Sequence, residues 1–163
     1  VDKGKDFNLS HCGMFAMDTM RMEKGYLHWG HDMSPEENQY EAGLSFTISY
    51  KKNVDFIGRK ALLKIKDQKP KKKLTIFSLK ENKPGFPLLL HDEPILSEGK
   101  IIGRTTSGNY SFNFEKNLAF GYVNLEQDLE YLIDQNLYIE VEKTKFKATL
   151  LSKPLNTKDI KNG

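Results

Sequence analysis

The sequence has few of the features that mark secreted or membrane proteins. It contains one cysteine in 163 residues, Cys12, which excludes an intramolecular disulfide framework and is typical of a reducing compartment. No stretch approaches the ~18 consecutive apolar residues of a membrane-spanning helix, and the first residues lack the apolar segment of a signal peptide. We therefore predict a cytoplasmic protein with no membrane partner. The chain begins with Val1 and not with methionine, which indicates a fragment or a processed product.

Neither sign of charge dominates the composition. The chain has 25 Lys and Arg against 22 Asp and Glu, a formal net charge of +3, which is too small for a dedicated polyanion binder. A lysine-rich run at 69–73 leaves open a basic barrel that binds RNA. The predicted strands lack the interleaved aromatic residues of a base-stacking surface, so we expect no nucleic-acid partner.

The composition changes once along the chain, at a charged, proline-containing segment around 66–73 that is typical of a linker. The preceding residues predict α+β structure. Methionine and phenylalanine spacing predicts a helix over about 13–24, ended by Gly25. A capping-box pattern predicts a short helix from Ser34, and alternation predicts a strand over 44–50. Asp55 is predicted to cap a further helix, whose inner face would be formed by Ala61, Leu62 and Ile65.

The residues after this segment predict short strands, which favour a small barrel or sandwich. The segment 95–102 predicts a hairpin that turns at Glu98-Gly99. The hydroxyl-rich segment 103–111 is interpreted as a tight turn or bulge between strands. It does not match a phosphate-binding loop, because no Gly-Lys-Ser/Thr follows. The segment 125–133 is either a helical turn or an apolar loop. The other predicted strands are 74–79, 118–123, 137–141 and 146–151.

Arg21 is the most informative candidate site residue. It shares a helix face with Met14 and Met17, where an unpaired guanidinium would be costly to bury. It must therefore be paired or directed into a polar cleft. Next to Tyr26 and Trp29, it would suit a flat heteroaromatic ligand with acceptors or carboxylates. The alternative is a structural salt bridge with Glu23 or Asp32 and a tryptophan in the core.

Two other kinds of chemistry have weaker signals. His28 and His31 have a usable metal-ligand spacing, but no second clear pair accompanies them, and His11-Cys12 is a poor substitute. We predict no metal site. A Cys–His nucleophile is equally weakly supported, because Cys12 is best interpreted as an ordinary thiol. No catalytic residue is assigned to this chain.

Four blocks occur in a characteristic order along the chain: Arg21–Tyr26 with Trp29-Gly30, Glu41–Leu44, Phe56–Leu62, and Gly103–Tyr110 continuing to Leu118–Val123. Together they resemble the folate-dependent aminomethyltransferase family typified by the glycine-cleavage T-protein, and in particular the C-terminal folate domain of dimethylglycine and sarcosine dehydrogenases. Lys153-Pro154-Leu155 resembles the family's usual ending. The resemblance implies a remnant of the folate-binding domain over 1–66, a linker over 67–73, a small antiparallel β-barrel over 74–155 and a tail over 156–163.

The resemblance also implies a role for specific residues. Arg21 matches the family arginine that reaches the folate, Glu23 and Tyr26 match neighbouring positions that orient it, and Trp29 matches an aromatic of the same cleft. The implied cofactor is tetrahydrofolate, with FAD in the parent protein only. The implied partner is a methylated-glycine-type amine bound through an upstream domain. The family's catalytic aspartate and folate-contacting glutamate would also lie upstream, so the isolated chain is expected to be inactive.

The sequence departs from the family pattern at two places. Gln39 replaces a usual proline, which is a local loop change. Leucines at 88–90 stand where T-proteins tend to carry an arginine, which favours the dehydrogenase branch over docking of a lipoyl carrier protein. The resulting hypothesis is an enzyme that forms 5,10-methylenetetrahydrofolate, in the cytoplasm or, in a eukaryote, the mitochondrial matrix. The alternative is a non-enzymatic folate-binding or scaffold protein.

Overall fold

A computed structural model of the chain describes residues 1–52, 54–125, 129–133 and 135–151. Six antiparallel strands close a barrel in the order β1-β4-β3-β2-β5-β6. Each of these strands pairs with a neighbour on both sides over part of its length, so none of the described strands is an edge strand. Within the described ranges no helix is long and apolar enough to cross a membrane. The strands are β1 (Lys72–Leu79), β2 (Pro94–Ser97), β3 (Lys100–Ser111), β4 (Lys116–Asn124), β5 (Leu137–Val141) and β6 (Thr144–Leu151).

Alternating apolar residues form the barrel interior, because successive side chains of a strand point to opposite faces. Leu137 and Ile139 of β5 are buried, whereas Tyr138 between them is only partly so. The predicted barrel is therefore confirmed, although β1 begins at Lys72, ahead of the strand predicted from Leu74. The main core cluster contains Phe77, Leu79, Leu89, Ile95, Ala119, Val123, Leu132, Leu137, Ile139, Phe146, Ala148 and Leu150.

The β2–β3 hairpin turns where the sequence predicts it. Glu98 and Gly99 both have positive φ, 47° and 77°, as a tight two-residue turn between twisted strands requires. The segment 103–111 lies inside β3, so a tight turn there is wrong. The bulge is present instead, because the pairing with β4 shifts register between Thr105 and Ser107.

Within the described residues three α-helices accompany the barrel, α1 (Met14–Lys24), α2 (Arg59–Ile65) and α3 (Leu129–Ile133), and a 3₁₀ helix at Asp2–Phe7 precedes them. The first confirms the helix predicted over 13–24, and Gly25 ends it with φ 72° in the left-handed region. The third confirms a helical turn for its part of 125–133, while 126–128 lie outside the described residues. The resemblance at 153–155 lies outside them as well.

Two predicted elements before the barrel are wrong. Ser34 donates its backbone N–H to the Glu37 carboxylate, as in a capping box, and its hydroxyl donates to the same carboxylate, but no helix follows. Asn38 caps a new turn immediately afterwards by accepting from the backbone N–H groups of Tyr40 and Glu41. The predicted strand at 44–50 is instead a 3₁₀ turn at Ser45–Thr47 without a paired neighbour strand.

The predicted details of α2 also need correction. Gly58, with φ 91°, occupies the N-cap position, and the Asp55 carboxylate accepts from the adjacent Phe56 N–H instead. None of the α2 side chains is buried, and Ala61 of the predicted inner face is exposed. The helix lies where it is predicted, but its predicted inner face is not buried in the described structure.

Candidate functional site

The site is built around the guanidinium group of Arg21 in the last turn of α1. Its Nε donates to the Asp18 carboxylate at 2.9 Å, one helical turn earlier. Its Nη1 donates to Asp32 at 2.7 Å and to the Tyr26 carbonyl at 3.4 Å, and its Nη2 donates to the Ser107 hydroxyl at 2.9 Å. Arg21, whose side chain is only 14% exposed, is therefore paired with two carboxylates, which offsets the cost of burying its charge.

Asp32 is the buried centre of this network. Its side chain is 0% exposed, and its Oδ2 accepts from Arg21 and from the His28 backbone N–H at 2.8 Å. Its Oδ1 accepts from the hydroxyls of Thr106 at 2.6 Å and Ser107 at 2.7 Å. Charge-assisted hydrogen bonds of this kind offset the cost of burying the carboxylate.

The bulge in β3 explains how two successive residues reach the same carboxylate. In a regular strand Thr106 and Ser107 would point to opposite faces, but the extra residue of the bulge turns both hydroxyls toward Asp32. From β4, the Tyr122 hydroxyl donates to the Asp32 carbonyl at 2.9 Å. Burial and nearby carboxylates raise the pKa of Tyr122, so this donor stays protonated.

Glu23 forms a separate contact between α1 and the barrel. Its side chain is buried and accepts from the Ser111 hydroxyl and the Asn113 Nδ2, each at 2.6 Å, and from the Asn113 N–H at 3.3 Å. These bonds hold α1 against the end of β3. Glu23 is not among the partners of Arg21 in the described residues, and the carboxylates that contact Arg21 directly are those of Asp18 and Asp32.

Tyr26 and Trp29 present aromatic surface to solvent in the loop after α1. Their exposed fractions are 68% and 63%, so the alternative that Trp29 belongs to the core is wrong. Four of the five guanidinium N–H groups of Arg21 have partners among the described residues, which leaves one Nη2 N–H to donate elsewhere. The loop thus places exposed rings in the same chain segment as an available cationic donor.

A further ion pair anchors the segment around Glu37 to the barrel. Lys72 at the start of β1 donates to Glu37 at 2.6 Å. Burial acts to raise the pKa of Glu37, but hydrogen bonds from Lys72 and Ser34 outweigh it and hold the pKa below its ordinary value. Glu37 is therefore ionised in its contact at neutral pH.

The weaker candidates are placed as follows. The imidazole rings of His28 and His31 stack with centroids 4.6 Å apart, and Cys12 is exposed. Among the described residues no three His, Cys, Asp or Glu side chains are grouped so that they could hold a metal ion.

Sequence reasoning missed the central position of Asp32 and the whole contribution of Thr106 and Ser107. Asp32 appears in the sequence only as one possible partner of Arg21. The hydroxyl pair lies in a segment whose turn-like composition hides a long strand. A bulge that aims two hydroxyls at one acid depends on the register of β3 against β4, which local patterns do not encode.

Two family models match the chain. The GCVT N-terminal domain matches residues 1–52, and the glycine cleavage T-protein C-terminal barrel domain matches residues 72–156. The chain therefore belongs to the glycine cleavage T-protein family of aminomethyltransferases and related enzymes, and the resemblance found in the sequence is confirmed.

The curated relatives are longer enzymes. Mitochondrial dimethylglycine dehydrogenase of Rattus norvegicus is 32% identical over 95% of this chain and 17% of its own length. The aminomethyltransferase of Symbiobacterium thermophilum is 39% identical over 76% of this chain and 32% of its own. Mitochondrial sarcosine dehydrogenase of Homo sapiens is 33% identical over 74% of this chain and 13% of its own length. The chain thus spans at most a third of the length of these relatives.

One solved structure shows the fold. The glycine cleavage system aminomethyltransferase T from Bartonella henselae superposes with a TM-score of 0.78 and 22% identity, over 93% of this chain and 41% of that one. Together with the closed six-stranded sheet, it confirms the predicted α+β class with a small antiparallel barrel.

Proposed function

We propose that the chain is the C-terminal portion of a tetrahydrofolate-dependent one-carbon transferase that forms 5,10-methylenetetrahydrofolate within a dimethylglycine or sarcosine dehydrogenase-like enzyme. The observation that carries this proposal is the paired but incompletely used guanidinium of Arg21 beside a loop with exposed Tyr26 and Trp29. The match of both family models and the names of the relatives support the same class.

The residues fit a folate in chemical terms. The pteridine and aminobenzoyl rings of a folate are flat and carry acceptors, which suit aromatic surfaces and a fixed N–H donor. We assign Tyr26 and Trp29 to ring contacts and the available Nη2 N–H of Arg21 to an acceptor. Glu23 supports this face indirectly, by holding α1 on β3.

Tetrahydrofolate supplies a nucleophilic nitrogen that accepts a one-carbon unit at the oxidation level of formaldehyde. The residues of this chain bind and orient that carrier and keep water from one side of it. They contribute no proton transfer in this proposal. We place the catalytic acid and the amine-binding residues in another part of the parent protein.

The proposal also covers the type of parent enzyme, its location in the cell and the division of the chain into domains. Leu88 and Leu90 are 61% and 53% exposed where T-proteins tend to carry an arginine, which favours a dehydrogenase parent with a flavin in its own domain. We propose that the protein works in the cytoplasm or, in a eukaryote, in the mitochondrial matrix. We also propose residues 1–66 as part of the folate domain, 67–73 as a linker whose last two residues already pair in β1, 74–155 as barrel and 156–163 as tail.

A turnover assay on the full-length protein that contains this chain tests the function. Sarcosine or dimethylglycine is mixed with an electron acceptor, with and without tetrahydrofolate. The amine loses two electrons to the acceptor and a proton to solvent, which converts its N-methyl group to an iminium. Water then releases the iminium carbon as formaldehyde, or the folate nitrogens take it up as a methylene group, and in both cases the C–N bond breaks and the demethylated amine leaves. We expect 5,10-methylenetetrahydrofolate in place of free formaldehyde when folate is present. Folate binding without amine turnover would instead favour a non-enzymatic folate-binding protein, and neither activity would contradict the proposal.

A further inference from the structure

The Asp32 carboxylate is buried more completely than its position in a surface loop requires. It is 0% exposed, whereas its neighbours Gly30 and His31 are exposed. Placing a charge there costs free energy unless every lone pair is used. Four groups surround the two oxygens: the Arg21 guanidinium, the His28 backbone N–H and the hydroxyls of Thr106 and Ser107.

These partners come from three separate parts of the fold. Arg21 belongs to α1, His28 to the loop that carries Trp29, and the hydroxyls to the bulge of β3. Asp32 is therefore the point at which the barrel holds Arg21 and the loop that carries Tyr26 and Trp29, the three residues assigned to the folate. No other described carboxylate contacts α1, this loop and β3 together.

The hydroxyl of Ser107 closes the arrangement into a ring. It donates to Asp32 Oδ1 at 2.7 Å and accepts from Arg21 Nη2 at 2.9 Å, while Arg21 Nη1 donates to Asp32 Oδ2 at 2.7 Å. Both terminal nitrogens of the guanidinium are thus fixed, Nη1 by Asp32 of the loop and Nη2 by Ser107 of the barrel. With Nε held by Asp18, the plane of the group and the direction of its remaining N–H are set before any ligand arrives.

We propose that Asp32 is a positioning residue of the carrier-binding face, which acts through Arg21 and is itself fixed by the bulge of β3. The proposal rests on the folate-binding function argued above and adds a task for the barrel, which is to preorganise the guanidinium. Preorganisation improves affinity because the ligand does not have to immobilise a long side chain on binding.

A double-mutant cycle separates positioning from simple stabilisation. Asp32→Asn keeps the shape of the side chain but removes the charge that holds Arg21. Tetrahydrofolate is titrated calorimetrically into the full-length protein as wild type, Asp32→Asn, Arg21→Lys and the double variant. We expect Asp32→Asn to raise the Kd about tenfold when Arg21 is present and less than about twofold when lysine replaces it.

Glu37→Gln is the matched control. Glu37 also anchors the loop to the barrel, through Lys72, but its side chain bonds to Ser34 and Lys72 and is not among the partners of Arg21 in the described residues. We expect Glu37→Gln to leave the Kd unchanged. Should Asp32→Asn fail to fold, Ser107→Ala removes the shared hydroxyl with a smaller perturbation, and we expect a Kd about threefold higher only when Arg21 is present.

The outcomes separate the two proposals. Equal tetrahydrofolate affinity in wild type and Asp32→Asn overturns the positioning role and leaves the folate function intact. A loss from Asp32→Asn that is equal with and without the Arg21→Lys substitution overturns action through Arg21. A wild-type protein that binds no tetrahydrofolate contradicts the proposed function, and the role of Asp32 falls with it.

Discussion

The barrel and the segment before it are stabilised by different kinds of contact. The barrel interior contains large apolar side chains such as Phe77 and Ile139, both 0% exposed. In the described part of residues 1–71 the buried apolar side chains are Met22 and Ala42, whereas Thr19, Glu23 and Asp32 are buried polar ones. Apolar burial stabilises the barrel, and directional hydrogen bonds orient the earlier segment on it.

This difference gives the two regions different structural roles. Apolar packing does not depend on direction, so it stabilises a scaffold without specifying where one donor atom points. Each hydrogen bond of Glu23 and Asp32 does specify a direction, and both carboxylates bind residues of β3 or of the turn after it. The proposed ligand face therefore takes its geometry from polar contacts with a rigid barrel.

The largest expected effect comes from the barrel core. Phe77→Ala removes a fully buried ring and should lower the free energy of unfolding by about 4 kcal/mol in urea denaturation. The control is Phe46→Ala, where the ring is 81% exposed and the change should stay within about 0.5 kcal/mol. Similar losses at both positions would contradict a core that is centred on the barrel and joined from α1 by Met22.

Arg21→Ala is expected to loosen the earlier segment while the barrel stays folded. It leaves the buried Asp32 carboxylate without its cation, which should cost about 3 kcal/mol. Hydrogen exchange measures this locally: protection should fall in α1 and persist in β5. An equal fall in both elements would show that the two regions unfold as one unit.

The Glu37–Lys72 contact should give a smaller, pH-dependent effect. Because folding lowers the pKa of Glu37, its stabilisation is present above the ordinary carboxyl pKa and is lost as the pH falls through the lowered value. Glu37→Gln should therefore destabilise the protein by about 1 kcal/mol at pH 7. Urea denaturation at pH 3 should show a smaller difference from wild type, and a difference that grows toward acid would reverse the assigned sign.

The smallest effect is expected on the outer face of α1. Phe15 is 77% exposed, so Phe15→Ser should change the free energy of unfolding by less than about 0.5 kcal/mol. Met22→Ala, on the buried face of the same helix, should cost about 3 kcal/mol. Thermal denaturation of both variants tests this, and a large loss for Phe15→Ser would mean that the outer face is covered.

The sequence predicts the barrel far better than the region that holds the site. Period-two alternation and the Glu98-Gly99 turn are local signals, and both lead to the observed strands. The alternation at 44–50 has the same appearance, but the described structure has a 3₁₀ turn there and places none of these residues in a strand. Local patterns specify what a segment can form, and tertiary contacts decide whether it does.

Local sequence patterns also predict only part of the Arg21 site. Composition predicts that Arg21 must be paired, and it is paired with Asp18 and Asp32. The apolar stripe on α1 nevertheless misleads, because Met14 and Met17 are exposed and the helix packs through Thr19, Met22 and Glu23. The bulge that brings Thr106 and Ser107 to Asp32 depends on strand register, which is a tertiary property.

The affinity for tetrahydrofolate of wild type and Arg21→Ala, measured by calorimetry on the folded full-length protein, tests the central claim most directly. A lost charge-assisted hydrogen bond and a disordered loop should weaken binding by about 1–3 kcal/mol. Tight binding by wild type with a clear loss in the variant is the expected result. Equal affinity in the two proteins would contradict a ligand face organised around Arg21.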